Sequence, residues 1–422
     1  MQSMPMPLMP KVPMPDTISR YSLGSVLPVI GLCLLAWTFS SFDQSLFGYA
    51  IPGMMKEFGV GLPAISLIMS TGFIAAAPAA LMLGVMADRI GRRKTLAFCV
   101  GVSALLVGLH AVATDLLTIG FLRIAGFAIS AGVSPIVTTY AAESSPARWR
   151  GVIIGGLQCG FPLGWFFASL STAPLIEAYG WRAPFYVAFV VVPLSLVFLK
   201  LLPESQLFQA RRKEDVAPFK VNVAELLGPV YRKRLILITI IYFCFGASYA
   251  GSAYFFPTFL NALRGYSEAE AASVVGLAYG IGLIGYFASS FVGEFVLTRR
   301  ITLIIWTWIG TAAFAGFVWL PETRTENILW FSGLAMFGYG SMPLIQTMKS
   351  ELFPTRLRAT AAAITAGVGL NIGYAAAPVV VAQVVETSGW QMAFSMTVIP
   401  LMFMCGFLSL FLDGMASGTE LD

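Results

Sequence analysis

Twelve apolar runs of about 20 residues dominate this chain, near residues 25–50, 62–86, 95–114, 117–142, 150–174, 183–202, 235–260, 271–297, 301–320, 327–348, 360–385 and 391–412. An α-helix needs about 20 residues to cross the roughly 30 Å hydrocarbon layer of a bilayer. The runs are continuous and do not alternate polar with apolar residues, which points to helices and not to a barrel. Of the 422 residues 57% are hydrophobic and only 11% charged, and the charges gather between the runs; soluble domains are about 25% charged. The expected fold class is an all-α membrane protein with twelve transmembrane helices.

Lysine and arginine orient it. With both termini cytoplasmic, 21 of the 26 basic residues fall in inner segments, leaving Lys56, Arg182, Arg264 and Arg324 outside and Arg123 within a helix. This asymmetry is the positive-inside signature of an inner-membrane protein. The net charge of +5 is thereby an orientation signal, and nucleic acid is not an expected partner. The five cysteines are scattered one per helix without metal-ligand spacing, so they are expected to be small packing residues. His110, near the outer end of the third run, is expected at headgroup level. One histidine, no clustered metal ligands and no nucleophile–base constellation exclude an enzyme and a cofactor.

The polar stretch from Leu201 to Arg234 separates six runs from six. The expected organisation is a disordered cytoplasmic tail (1–24), a six-helix bundle (25–202), a cytoplasmic linker (203–234), a second bundle (235–412) and a short tail (413–422). The halves repeat. Gly132, Pro135, Glu143, Pro146, Arg148 and Arg150 recur as Gly340, Pro343, Glu351, Pro354, Arg356 and Arg358, all offset by 208. Arg92 and Arg93 recur as Arg299 and Arg300 at 207, and Gly180-Trp181 as Gly389-Trp390 at 209. Copies on the same side of the membrane make the repeats parallel, an arrangement in which a ligand binds near the midplane between halves.

Between the second and third runs lie Gly84, Asp88, Gly91, Arg92, Arg93 and Lys94. Gly84 is read as permitting close helix approach, Gly91 as a tight turn, and Arg92 as a partner for carboxylates. Glu143 and Arg150 flank the inner ends of the fourth and fifth runs, and with Arg92 they suggest a cytoplasmic salt-bridge network; Glu351, Arg356 and Arg358 repeat it. The plain alternative is helix-end charge at the headgroups. In the second half the loop is shorter, Gly293-Glu294 to Arg299-Arg300, and lacks the second glycine, which predicts a lopsided network.

Asp43 sits inside the first run and Arg123 inside the fourth, both about 10 Å below the outer boundary at 1.5 Å per residue. A charged group at membrane depth costs about 2.5–3.5 kcal/mol on insertion scales and usually faces protein or a water-filled cavity. Two such groups of opposite sign at one depth are expected to meet. An acid alone in low dielectric keeps its proton, and a nearby guanidinium drives it off. An anion that occupies the arginine then lets the acid reprotonate, coupling the two; the alternative is a static pair that fixes helix packing. Gln158, Trp165, Tyr249, Tyr279, Gln346, Asn371 and Tyr374 are polar or aromatic residues at mid-membrane depth and candidates to line a binding site, each as plausible a packing residue. Gly151, Gly155, Gly156, Gly160 and Gly164 put small residues on one face of the fifth helix.

The loop from Gly84 to Thr95 resembles the signature loop of the major facilitator superfamily. Phe42-Asp43 through Pro52, with Glu351 to Thr360, is similar to its aromatic acid:H⁺ symporter branch, although Ser40 and Ser41 stand where the branch has Asp-Gly. The resemblance implies two pseudo-symmetric six-helix bundles, secondary active transport by alternating access, and a loop that serves as a conformational latch through Asp88 and Arg92. It implies proton-coupled uptake of a small organic anion such as an aromatic carboxylate, with the proton as coupling ion and Arg123 matching the family's coupling-associated arginine. An exporter of the same fold and a sugar-like porter are the alternatives. A monomer in the lipid bilayer suffices.

Overall fold

The computed structural model describes residues 23–145, 150–204 and 219–412. Eleven helical elements among them are long and apolar enough to cross a bilayer. They are α1 (Leu27–Phe58), α2 (Leu62–Ile90), α3 (Arg92–Val112), α4 (Leu116–Ser144), α5 (Ile153–Tyr179), α6 (Ala183–Leu201), α7 (Arg232–Arg264), α8 (Glu268–Phe295), α9 (Arg299–Trp319), α10 (Arg324–Lys349) and a 50-residue element, Thr360–Ser409. The last would span about 75 Å if straight, more than twice the hydrocarbon thickness. Its backbone leaves the helix at Gly389 (φ 78°), which divides it into α11 (360–388) and α12 (390–409). Gly180, its counterpart in the repeat, turns α5 into α6 with φ 81°. A side chain at either φ would be strained, so the repeated Gly-Trp pair marks one turn used twice.

Local chemistry sets the other ends. Ser267 and Glu270 form a capping box at the start of α8, as Thr323 and Glu326 do at α10. Asp115 caps α4 by accepting from the Thr118 amide at 2.8 Å and its hydroxyl at 2.7 Å, which holds the Asp115 carboxyl below its ordinary range.

Within the first half, α1 lies on α5. A Cβ at Gly164 would fall 2.5 Å from Ser41 Cβ and 2.6 Å from the Phe42 amide nitrogen. Gly160 is equally close to Trp37, but Gly155 faces Ser290 and Pro343 of the other half, and Gly156 faces open space. The glycines therefore serve two partners rather than one face, because the helix breaks at Gln158 and Cys159. The halves meet along two seams. At α5–α8, Ser169 Oγ donates to the Ala272 carbonyl at 2.8 Å, and at α2–α11, Phe73 packs edge-on against Tyr374 at 5.0 Å. Large apolar side chains such as Met82, Leu117, Phe121 and Ile284 are exposed, a surface suited to hydrocarbon. All five cysteines are buried and free.

At one membrane face, called here the latch face, Arg92 bridges Asp88 Oδ1 (3.0 Å) and Glu143 Oε1 (3.2 Å). Glu204, after α6, accepts from the backbone amides of Arg92 (2.9 Å) and Arg93 (3.4 Å). Gly91, at φ 107°, makes the turn. In the second half Arg299 bridges Glu294 and Glu351. The shortened loop still delivers one arginine between two acids, because Glu294 replaces Asp88 from the end of α8, while among the described residues the Glu204 tie belongs to the first half, so the network is matched in its arginine and lopsided in its loop. Arg358 makes no direct bridge to these acids; its Nε donates to the Phe353 carbonyl at 3.1 Å, within electrostatic reach of Glu351. The side chains of Arg150 and Arg356, the 1–22 and 413–422 segments and residues 205–218 of the linker lie outside the described residues. Gly84 makes no close approach, for a Cβ there would meet nothing within 4 Å.

Thermal unfolding in detergent reports on each of these contacts. Gly84→Ala raises stability by about 0.5–1 kcal/mol, the helix-propensity difference, whereas Gly164→Ala lowers it by about 1–3 kcal/mol through overpacking against backbone. Arg299→Ala lowers stability by about 1–3 kcal/mol, less than for a fully buried pair because Glu294 and Glu351 are about a quarter exposed. Adding Glu294→Gln and Glu351→Gln recovers part of that loss; no recovery contradicts the bridging role.

Candidate functional site

Arg123 is 4% exposed, deep in α4. Its guanidinium carbon lies 4.4 Å from the ring centre of Phe47, 4.9 Å from Phe127 and 5.7 Å from Tyr254. Aromatic faces attract a guanidinium and strip its water. Its Nη2 nevertheless has no hydrogen-bond partner. The result is a buried cation with a spare donor, framed by three rings.

Asp43 is 2% exposed, and neither carboxyl oxygen has a hydrogen-bond partner among the described residues. The expected Asp43–Arg123 pair does not form in this structure. The reason is local: Phe47 follows Asp43 by one turn on the same face of α1, and its ring receives the guanidinium. Equal depth counted along two helices did not account for an aromatic ring one turn away.

Polar groups beside this pair tie three helices together. Ser40 Oγ and Ser130 Oγ are 2.7 Å apart, linking α1 to α4. Gln44 Nε2 donates to both, at 3.3 and 3.4 Å. Its Oε1 accepts from Tyr254 of α7 at 3.4 Å, reaching across to the second half. Ser40 thus occupies a place where the resembled branch has an acid, and uses it for packing.

Four of the candidate lining residues converge. Trp165 stacks on Tyr279 at 5.1 Å, and its Nε1 is buried without a partner. The Tyr279 and Tyr249 hydroxyls are 3.3 Å apart. Tyr249 packs on Tyr339 at 4.8 Å and on Tyr374 at 6.2 Å. Gln158 is buried at the α5 break. Gln346 lies elsewhere, accepting from Tyr242 OH at 3.0 Å and from Lys349 Nζ at 2.8 Å. Asn371 turns back to its own helix, 3.4 Å from the Gly367 carbonyl.

Sequence reasoning missed Phe47, Phe73, Phe127 and Tyr254, since an aromatic in an apolar run carries no signal of its own. The Tyr254-Phe255-Phe256 run and Gln44 beside Asp43 were the only pointers. His110, two residues from the end of α3, is 1% exposed: its Nδ1 donates to the Leu106 and Val107 carbonyls (3.1 and 3.0 Å) and its ring stacks on Phe185 at 5.1 Å.

Residues 33–369 match the Major Facilitator Superfamily. The niacin transporter NiaP of Acinetobacter baylyi is 26% identical over 401 residues, covering 88% of this chain and 90% of the relative. A gallate transporter of Pseudomonas putida is 27% identical over 373 residues, 81% and 82% of the two chains. The crystal structure of the human organic anion transporter MFSD10 (TETRAN) superposes with a TM-score of 0.69 at 17% identity, covering 91% of this chain and 99% of that one. With parallel halves, seams at α2–α11 and α5–α8 and an arginine between two acids in each half, the chain belongs to the Major Facilitator Superfamily, a multi-pass secondary transporter of small molecules and not an enzyme.

Proposed function

We propose that this protein takes up a small organic anion, an aromatic carboxylate in the first instance, together with a proton. The observation that carries the reading is Arg123, a buried guanidinium with a spare donor among Phe47, Phe127 and Tyr254. A carboxylate matches the guanidinium fork, and a planar ring attached to it fits between aromatic faces. Nicotinate and gallate, the acids in the names of the two bacterial relatives, are planar aromatic carboxylates. On this reading the latch face is cytoplasmic, as the basic residues indicate, and one chain supplies both walls of the route.

Charge balance supplies the coupling. A buried charge without a partner is costly, so the halves rock readily only when the interior is neutral. On this reading, an ionised Asp43 offsets the charge of Arg123 in the empty carrier. Once an anion occupies Arg123, neutrality requires Asp43 to carry a proton. A protonated Asp43 with an empty site leaves the arginine uncompensated, and that form resists rocking. One proton thus travels with one monovalent anion, and the direction of flux follows the proton gradient.

Asp43→Asn is neutral whatever the pH. It is expected to abolish uptake driven by a pH gradient while sparing exchange of labelled for unlabelled nicotinate or gallate. Wild-type-like uphill uptake by this variant defeats the proton assignment. Arg123→Ala is expected to lower carboxylate uptake about 100-fold or more, the scale of a lost buried ionic partner, with Arg123→Lys intermediate because the fork is lost. Unaltered uptake by Arg123→Ala would move the anion site elsewhere.

A further inference from the structure

Lys349 is the least explained cation in the membrane-spanning part of the chain. It ends α10 at the latch side, yet its side chain does not turn outward to water. Long helical side chains lean toward the N-terminus of their helix, and here Nζ reaches back one turn to Gln346 Oε1 at 2.8 Å and lies 5.3 Å from the ring centre of Tyr242 on α7. Tyr242 OH donates to the same Gln346 oxygen at 3.0 Å. An ammonium has three donors, and among the described residues no acid pairs with this one. Glu351, two residues on, is held by Arg299, and side chains two apart on a helix do not face each other. Tyr242 is buried, whereas Gln346 and Lys349 are half-buried.

Its place in the fold gives it meaning. Tyr242 precedes Tyr249 by seven residues on α7, and Gln346 follows Tyr339 by seven on α10. Seven residues are about two turns, which returns each helix to nearly the same face about 10 Å further along. The Tyr242–Gln346–Lys349 group therefore continues the faces that carry the central Tyr249–Tyr339 contact toward the latch. It is also absent from the repeat. The latch arginines and acids recur in both halves, but the residue 208 before Lys349 is Ala141 and that before Gln346 is Thr138. A feature of the shared fold would be expected in both copies.

We infer that Lys349, with Gln346 and Tyr242, is a second anion station on the latch side of the route, where the carboxylate rests after leaving Arg123. This rests on the organic-anion reading above. The ammonium supplies charge without the fork of an arginine, a looser hold suited to release. Gln346 and the Tyr242 hydroxyl orient it.

The test measures half-saturation for radiolabelled nicotinate and gallate from each side, using whole cells for the outer side and inverted membrane vesicles for the latch side. Lys349→Gln is expected to raise the latch-side value about tenfold, the loss of one charge-assisted bond. Its outer-side value stays within about twofold of wild type, which also reports that the variant is folded. Lys349→Arg keeps the latch-side value within about threefold of wild type, since the charge remains. If Lys349→Gln leaves the latch side unchanged, or moves both sides equally, the station is overturned and the organic-anion reading stands. If the wild-type protein transports neither acid, both are overturned.

Discussion

Hydrocarbon cannot solvate a charge, and that one constraint governs where every ionisable group in this protein lies. Most of the bases sit between helices, where water and headgroups receive them. The few charges inside the bundle are each handled differently. Arg92 and Arg299 are buried and each shared between two acids. Arg123 is wrapped in aromatic faces, Lys349 leans on an amide and a ring, and Asp43 has no hydrogen-bond partner among the described residues. The gradient from fully paired to wholly unpaired runs from the latch face into the bundle. On the proposed reading, groups that exchange a ligand or a proton cannot keep a permanent partner, because it would compete with the cargo.

The repeat explains the economy of the frame. The same turn glycine, arginine and acid positions recur with offsets near 208, and the recurrence appears as geometry: Gly180 and Gly389 at positive φ, and one arginine between two acids in each half. What does not recur is the chemistry between the halves. At 208 beyond Asp43 and Arg123 stand Gly251 and Phe331, so the first half holds the buried acid and the framed arginine. The second half contributes the tyrosines.

Much of the architecture was legible because it is written in patterns that a chain must repeat to be stable. Apolar runs of bilayer length gave the spans, and the 208 offset gave the halves. Gly389, read only as one member of a repeated pair, proved to be what splits the 50-residue last element. The site was legible in part. Asp43 and Arg123 stood out because charge in an apolar run is rare, but their expected contact depended on which face each helix presents, and Phe47 decides that. Trp165, Tyr249, Tyr279 and Tyr374 converged as a mid-membrane set would, whereas Gln346 and Asn371 found partners within or beside their own helices. Gly84 was assigned close packing from its motif, yet a glycine in sequence does not say what, if anything, lies opposite it. Aromatic framing escaped the sequence altogether, since Phe47 and Phe127 look like any other apolar residues until the helices are placed.

Tyr254 is where charge and motion meet. It belongs to α7 in the second half, yet its hydroxyl donates to Gln44 and its ring faces Arg123, both in the first. It also packs edge-on against Phe73 and Trp165, one on each seam-forming helix of the first half. Rocking the halves apart at this level would withdraw one wall of the arginine's frame and break the Tyr254–Gln44 bond to α1. A guanidinium losing an aromatic face gains water and loses the desolvation that makes an anion bind tightly there. On the proposed reading, the affinity of the anion site is therefore tied to the position of the second half through a single tyrosine. A carboxylate at Arg123 would in turn favour the closed seam that keeps Tyr254 in place, because linkage between two states acts in both directions.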